Sequence, residues 1–120
     1  MGIFSRFRRS KHTDSKHRDS DQLVLDQLHK AGSDLSRPHP VEFFLYFPGQ
    51  DAADQAAVQI RNAGFEVTVR RSAKGDEWLC FAIKNIVPEL AILQKIRTDF
   101  DALAARLGGD YDGWGTPVVE

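Results

Sequence analysis

Residues 65–84 read FEVTVRRSAKGDEWLCFAIK, two strand-like runs separated by a turn. In the first run Phe65, Val67 and Val69 alternate with Glu66, Thr68 and Arg70, the period-two pattern of a strand with one buried face. SAKGDE supplies Gly and Asp for the turn. WLCFAIK then returns, with Leu79, Phe81 and Ile83 read as its core-facing side. The segment is predicted to be a β-hairpin, and its place between two helical segments decides the architecture.

Upstream, AADQAAVQIRNAG, capped by Asp51, aligns Ala53, Ala56, Ala57, Ile60 and Ala63 in a small-residue stripe that permits close approach to a sheet, and Gly64 ends it. Before that helix, VEFFLYF at 41–47 lies between Pro38/Pro40 and Pro48-Gly49 and reads as a strand. Val41, Phe43, Leu45 and Phe47 share one face, and Glu42, Phe44 and Tyr46 the other. Downstream, Pro88 suits a first helical turn, Leu93, Ile96, Phe100, Leu103 and Leu107 recur at intervals of three and four, and Gly108-Gly109 stops the helix. PVVE at 117–120 is read as a short edge strand. The order is therefore that of an α+β, ferredoxin-like βαββαβ sandwich, with right-handed crossovers placing both helices on one sheet face. One extra helix over about 21–31 precedes it, with Asp19, Ser20 or Asp21 as N-cap, Leu25 and Leu28 at helical spacing, and Gly32 as stop.

With 120 residues, 42% of them hydrophobic, the chain suits one domain around one core. Its net charge of -1 conceals an asymmetry. Residues 1–18 carry six Lys/Arg and one Asp, while the remainder carries ten basic and 16 acidic groups. A single cysteine, Cys80, excludes an intramolecular disulfide and suits a reducing compartment. No apolar run has the length of a membrane span, and MGIFSRFRRSKH lacks the apolar run of a secretory signal, so a cytoplasmic location is expected.

No arrangement suited to catalysis emerges. His12, His17, His29 and His39 have no metal-ligand spacing, and Cys80 within an apolar strand reads as an inert thiol. The second sheet face is expected to display Phe44, Tyr46, Thr68, Arg70, Trp78 and Cys80. Aromatic groups beside an arginine can stack RNA bases, or they can be covered by the first helix and Trp114, or by a protein partner. In the leader, Ile3, Phe4 and Phe7 alternate with Arg6, Arg8 and Arg9, which makes residues 1–9 suitable for peripheral contact with an anionic membrane. Near the other end, GDYDGWGT at 109–116 sets Trp114 between glycines: it reads as a plug whose indole N–H meets a backbone acceptor, or as a loop presenting Tyr111 and Trp114.

Taken together, YDGWGT at 111–116, GSD at 32–34 directly after the first helix, and GFEV at 64–67 ahead of the hairpin resemble the regulator of ribonuclease E activity B (RraB) family over roughly residues 21–118. The resemblance implies a ferredoxin-like sandwich and a non-catalytic role, binding the endoribonuclease that initiates messenger RNA decay and lowering its activity. No cofactor or metal is implied. Its signature residues would be Gly32, Ser33, Asp34, Gly64, Tyr111, Asp112, Gly113, Trp114, Gly115 and Thr116. Characterised members carry an acidic C-terminal tail, whereas this chain ends at Glu120 and starts with a basic leader. Residues 1–19 are accordingly read as a disordered basic tail and 20–120 as an RraB-like domain that docks a protein partner through its acidic surface or through the face bearing Phe44, Tyr46, Arg70 and Trp78. The alternative is an RNA-binding or membrane-surface module using the basic leader and that aromatic face.

Overall fold

A computed structural model describes the backbone from Asp14 to Glu120 and the side chains from Ser20 onward, Lys74 excepted. The membrane and RNA readings of residues 1–9 lie outside the described residues. Seven elements follow in order: α1 (Asp14–Lys30), β1 (His39–Phe47), α2 (Gln50–Asn62), β2 (Glu66–Arg71), β3 (Trp78–Ile86), α3 (Leu90–Arg106) and β4 (Asp110–Gly115). The four strands form one antiparallel sheet in the order β2-β3-β1-β4. This is the βαββαβ sandwich with an additional N-terminal helix. That helix starts before the expected position near residue 21, through a stretch containing neither Gly nor Pro to stop it.

All three helices end in the same way. A glycine in the left-handed region follows the last turn, Gly32 (φ 94°), Gly64 (φ 97°) and Gly108 (φ 77°). The next residue's N–H reaches back to a carbonyl of that turn: Ser33 to Leu28, Phe65 to Ile60 and Gly109 to Ala104. This pairing satisfies carbonyls that a helix end otherwise leaves bare. At the start of α2 the cap position is Gly49, and Asp51 lies inside the first turn, where its charge suits the helix dipole.

The core lies between the sheet and the helices. Val41, Phe43, Leu45 and Phe47 are fully buried. The Phe43 ring meets the edges of Phe65 and Phe100, each with centroids 5.5 Å apart, and Phe100 continues the contact to Tyr111 at 5.6 Å. Directly opposed residues of antiparallel strands share a face, so the register Phe43↔Ala82, Leu45↔Cys80 and Phe47↔Trp78 assigns Ala82, Cys80 and Trp78 to the helix side. This reverses the expected phase of β3. Leu79, Phe81 and Ile83 lie on the other face, while Trp78, expected there, packs against the core. A one-residue shift exchanges every side chain of a strand, and WLCFAIK is apolar on both faces, so its alternation carries no phase. The helix side takes Cys80 and Ala82 because α2 comes close there with Ala53, Ala56 and Ala57, and the Cys80 thiol donates to the Ala53 carbonyl at 3.1 Å.

Two further expectations are corrected. The fourth strand is DYDGWG itself, whereas PVVE follows it outside the sheet. The first helix does not cross the second sheet face. It packs on α3 and β4 beside the other helices, with Leu25 and Leu28 in the common core.

Candidate functional site

Strand β4 runs antiparallel to β1 with a bulge opposite Phe44/Leu45. Phe43 faces Trp114 and Leu45 faces Tyr111, so three steps along β4 match two along β1. The extra residue falls at Asp112-Gly113, and Gly113 takes a φ of 110°, which a side chain would resist. The consequence is that Tyr111 and Trp114 both point into the core.

Their surroundings are polar as well as apolar. The Trp114 Nε1–H donates to Asp21 Oδ1 of α1 at 3.0 Å. The other Asp21 oxygen lies 3.5 Å from Arg97 Nε of α3, and both of these charged side chains are 6% exposed. Carboxylate and guanidinium are thus buried as a pair, which makes removing either partner costly. Burial, then the charges of Asp21 and Asp101, push the Tyr111 hydroxyl well above the usual phenolic range, so the ring remains neutral. Trp114 is therefore a plug, with the Asp21 carboxylate as its acceptor in place of the expected backbone oxygen. Tyr111 is buried with it, while Asp112 remains half-buried at the bulge.

The other signature residues secure the C-terminal stretch. The Val119 N–H donates to Ser33 Oγ at 2.9 Å, and the Asp34 N–H donates to the Val119 carbonyl at 2.7 Å. Ser33 Oγ also lies 2.6 Å from Nε2 of His39, whose Nδ1 is 2.7 Å from the Arg37 carbonyl. A carbonyl can only accept, so Nδ1 is the donor there; with a neutral ring, Nε2 accepts the serine hydroxyl proton. Asp34 accepts from the Ser36 hydroxyl and N–H, and these bonds hold its carboxyl below the usual range. Thr116 donates to the Pro40 carbonyl at 3.3 Å, and Gly115 pairs with Glu42. Gly32 and Gly64 terminate helices. Sequence reasoning missed His39, Asp21 and Arg97. The first sat between prolines, and nothing local signals that the other two meet.

The opposite face of the sheet has a different character. Phe44 and Phe81 pack with centroids 5.3 Å apart, and the Arg70 guanidinium lies 5.1 Å over the Phe81 ring. Tyr46, Leu79 and Ile83 continue the apolar surface, with Glu42, Glu66 and Thr68 among them by register. Of the four expected surface residues, Phe44, Tyr46 and Arg70 are here, and Trp78 is on the helix side with Arg71 over its ring at 5.5 Å. All three helices lie against the other face. Phe44, Tyr46, Phe81 and Ile83 are half-buried.

Groups with reactive potential are enclosed. Burial pushes the Cys80 thiol up to about 12. Ser33 and His39 are both buried, and the serine is bonded to the Val119 backbone. Among the described residues no three His, Cys, Asp or Glu side chains gather as a metal site, and no helix is long and apolar enough to cross a membrane.

Comparison with known proteins gives one family. Residues 18–116 match the family model "Regulator of ribonuclease activity B" (RraB). Proteins of that name from Shewanella amazonensis, Sodalis glossinidius and Pseudoalteromonas atlantica are 35%, 30% and 30% identical to this chain. The alignments cover 82%, 84% and 83% of this chain and 70%, 72% and 89% of those proteins.

Proposed function

We propose, from the premise that this chain belongs to the Regulator of ribonuclease activity B family, that it is a non-catalytic regulator that binds an endoribonuclease and lowers its activity. Residues 20–120 form the regulatory domain and residues 1–19 a basic leader whose last residues run into the first turns of α1, and the protein acts in the cytoplasm.

The observation that carries the docking site is the second sheet face. There Phe44, Tyr46 and Phe81 surround Leu79, with Arg70 at one side, and no described helix is laid against them. Aromatic and arginine side chains are the groups that most often dominate protein interfaces. The conspicuous signature residues Tyr111 and Trp114 have a different part: they close the fold and hold the sheet in shape behind that face.

Cleavage of a structured RNA by the endoribonuclease of the same cell, with and without this protein, tests the proposal. The intact chain should slow cleavage and bind the enzyme, and Phe81→Glu should lose both effects while remaining folded. Equal inhibition by that variant would overturn the docking face. Absence of binding by the intact chain would overturn the regulatory reading, and retention of RNA alone would favour the RNA-binding alternative.

A further inference from the structure

The second sheet face is apolar at its centre and acidic along one margin. Phe44, Tyr46, Leu79, Phe81 and Ile83 form the centre. Glu42 lies on β1, Asp110 pairs with Tyr46 on the edge strand β4, and Asp112 alternates outward from the inward-facing Tyr111. Around the corner, Asp101 and Asp110 line a cleft of about 290 Å³ together with Tyr111, Ala104 and Ala105. Arg70, at the far side of the sheet, is the described cation stacked on this face.

We propose that residues 1–13, MGIFSRFRRSKHT, bind in cis across the cleft and onto this face, covering Phe44 and Tyr46. Three observations carry the assignment. The first is the exit point. The loop after α1 is bonded near His39, at the end of the sheet where β3 leads into α3, so α1 and α3 run antiparallel. The start of α1 therefore lies toward the C-terminal end of α3 and the start of β4, beside Asp101 and Asp110. The second is charge. Residues 1–13 contain Arg6, Arg8, Arg9 and Lys11 and no acidic group, complementary to Asp101, Asp110, Asp112 and Glu42. The third is chemistry and reach. Ile3, Phe4 and Phe7 supply apolar groups for the centre, and a segment of that length extends to about 45 Å, more than the roughly 30 Å spanned by the nine residues of β1.

The leader is thus an internal occupant of the same surface proposed for partner docking, and a partner must displace it. The inference concerns the free chain and does not depend on the partner being a ribonuclease. A nitroxide at Ser5→Cys tests it in the full chain, because burial of the Cys80 thiol leaves the introduced cysteine as the reactive one. Expected is loss of the amide signals of Phe44, Tyr46 and Phe81, with those of Leu23 and Val58 on the helix side retained. At about 1 M salt, where the Debye length falls to about 3 Å, or with Arg6, Arg8 and Arg9 all changed to Glu, the signals should return. Unaffected open-face signals, loss at Leu23 and Val58, or equal loss when spin-labelled chain is mixed with isotope-labelled, unmodified chain would overturn the proposal. The last of these outcomes would assign the contact to a second copy.

Discussion

The indole of Trp114 and the carboxylate of Asp21 are hydrogen bonded at 3.0 Å although 93 positions separate them in the chain. Through this bond the last strand of the sheet is tied to the first helix, and Arg97 ties the same carboxylate to α3. Replacing Trp114 by Phe should keep most of the packing and remove the donor, costing about 1–3 kcal/mol. Replacing Asp21 by Asn should cost about 3–5 kcal/mol, because Arg97 is left buried without its counter-charge. Denaturant midpoints of the two variants check the order, and a milder effect for Asp21→Asn would show that Arg97 is not held by that carboxylate.

Across the α1–β1 loop the Ser33 hydroxyl oxygen accepts the Val119 N–H at 2.9 Å, while the Val119 carbonyl accepts the Asp34 N–H. Ser33→Ala removes the acceptor of the Val119 N–H and should lower stability by about 1 kcal/mol. Amide exchange at Val119 should accelerate more than at the β4 residues, a pattern that hydrogen-exchange measurement resolves residue by residue.

The two faces of β3 should respond differently. Trp78→Ala removes a ring packed against the core and should cost about 1–2 kcal/mol, below the range for fully buried aromatics because the ring is half-buried. Phe81→Ala should cost less than about 1.5 kcal/mol, because the ring is half-buried, and should instead weaken the partner binding proposed for this face. If Phe81→Ala proves the more destabilising and leaves binding intact, the face assignment is reversed.

Stability should fall at alkaline pH. The folded-state pKa of Cys80 is raised to about 12, above its value of 9.0 in the unfolded chain. A raised pKa means that the stabilisation is complete below the unfolded value and is lost as pH rises toward the folded one. Between about 9 and 12 the slope from this group approaches 1.4 kcal/mol per pH unit. Unfolding midpoints measured across that range should decline less steeply for Cys80→Ala, and a thiol reagent at pH 8 should leave native Cys80 unmodified.

Asp34 acts with the opposite sign. Its carboxyl is held below the ordinary value by hydrogen bonds from Ser36, so its contribution is present above about pH 4 and is lost as pH falls through the folded value. Following the Asp34 carboxyl carbon by NMR during acid titration should show a midpoint below the ordinary aspartate value, and Ser36→Ala should move it back toward that value.

Much of this protein was legible in the order of its residues. Alternation in FEVTVRR, the small-residue stripe of α2, the three-and-four spacing of α3 and the glycines that end each helix determined the βαββαβ arrangement, because these are local patterns set by backbone geometry. YDGWGT, GSD and GFEV identified the family. Tertiary structure alone decided three matters. The phase of WLCFAIK follows from which side chains let α2 approach, since the run is apolar on both faces. The strand role of DYDGWG depends on a bulge at Gly113 that is defined only by pairing with β1. The burial of Asp21 against Trp114 and Arg97 joins three distant segments, and no periodicity in any one of them can announce a carboxylate whose partners arrive only when the helices pack.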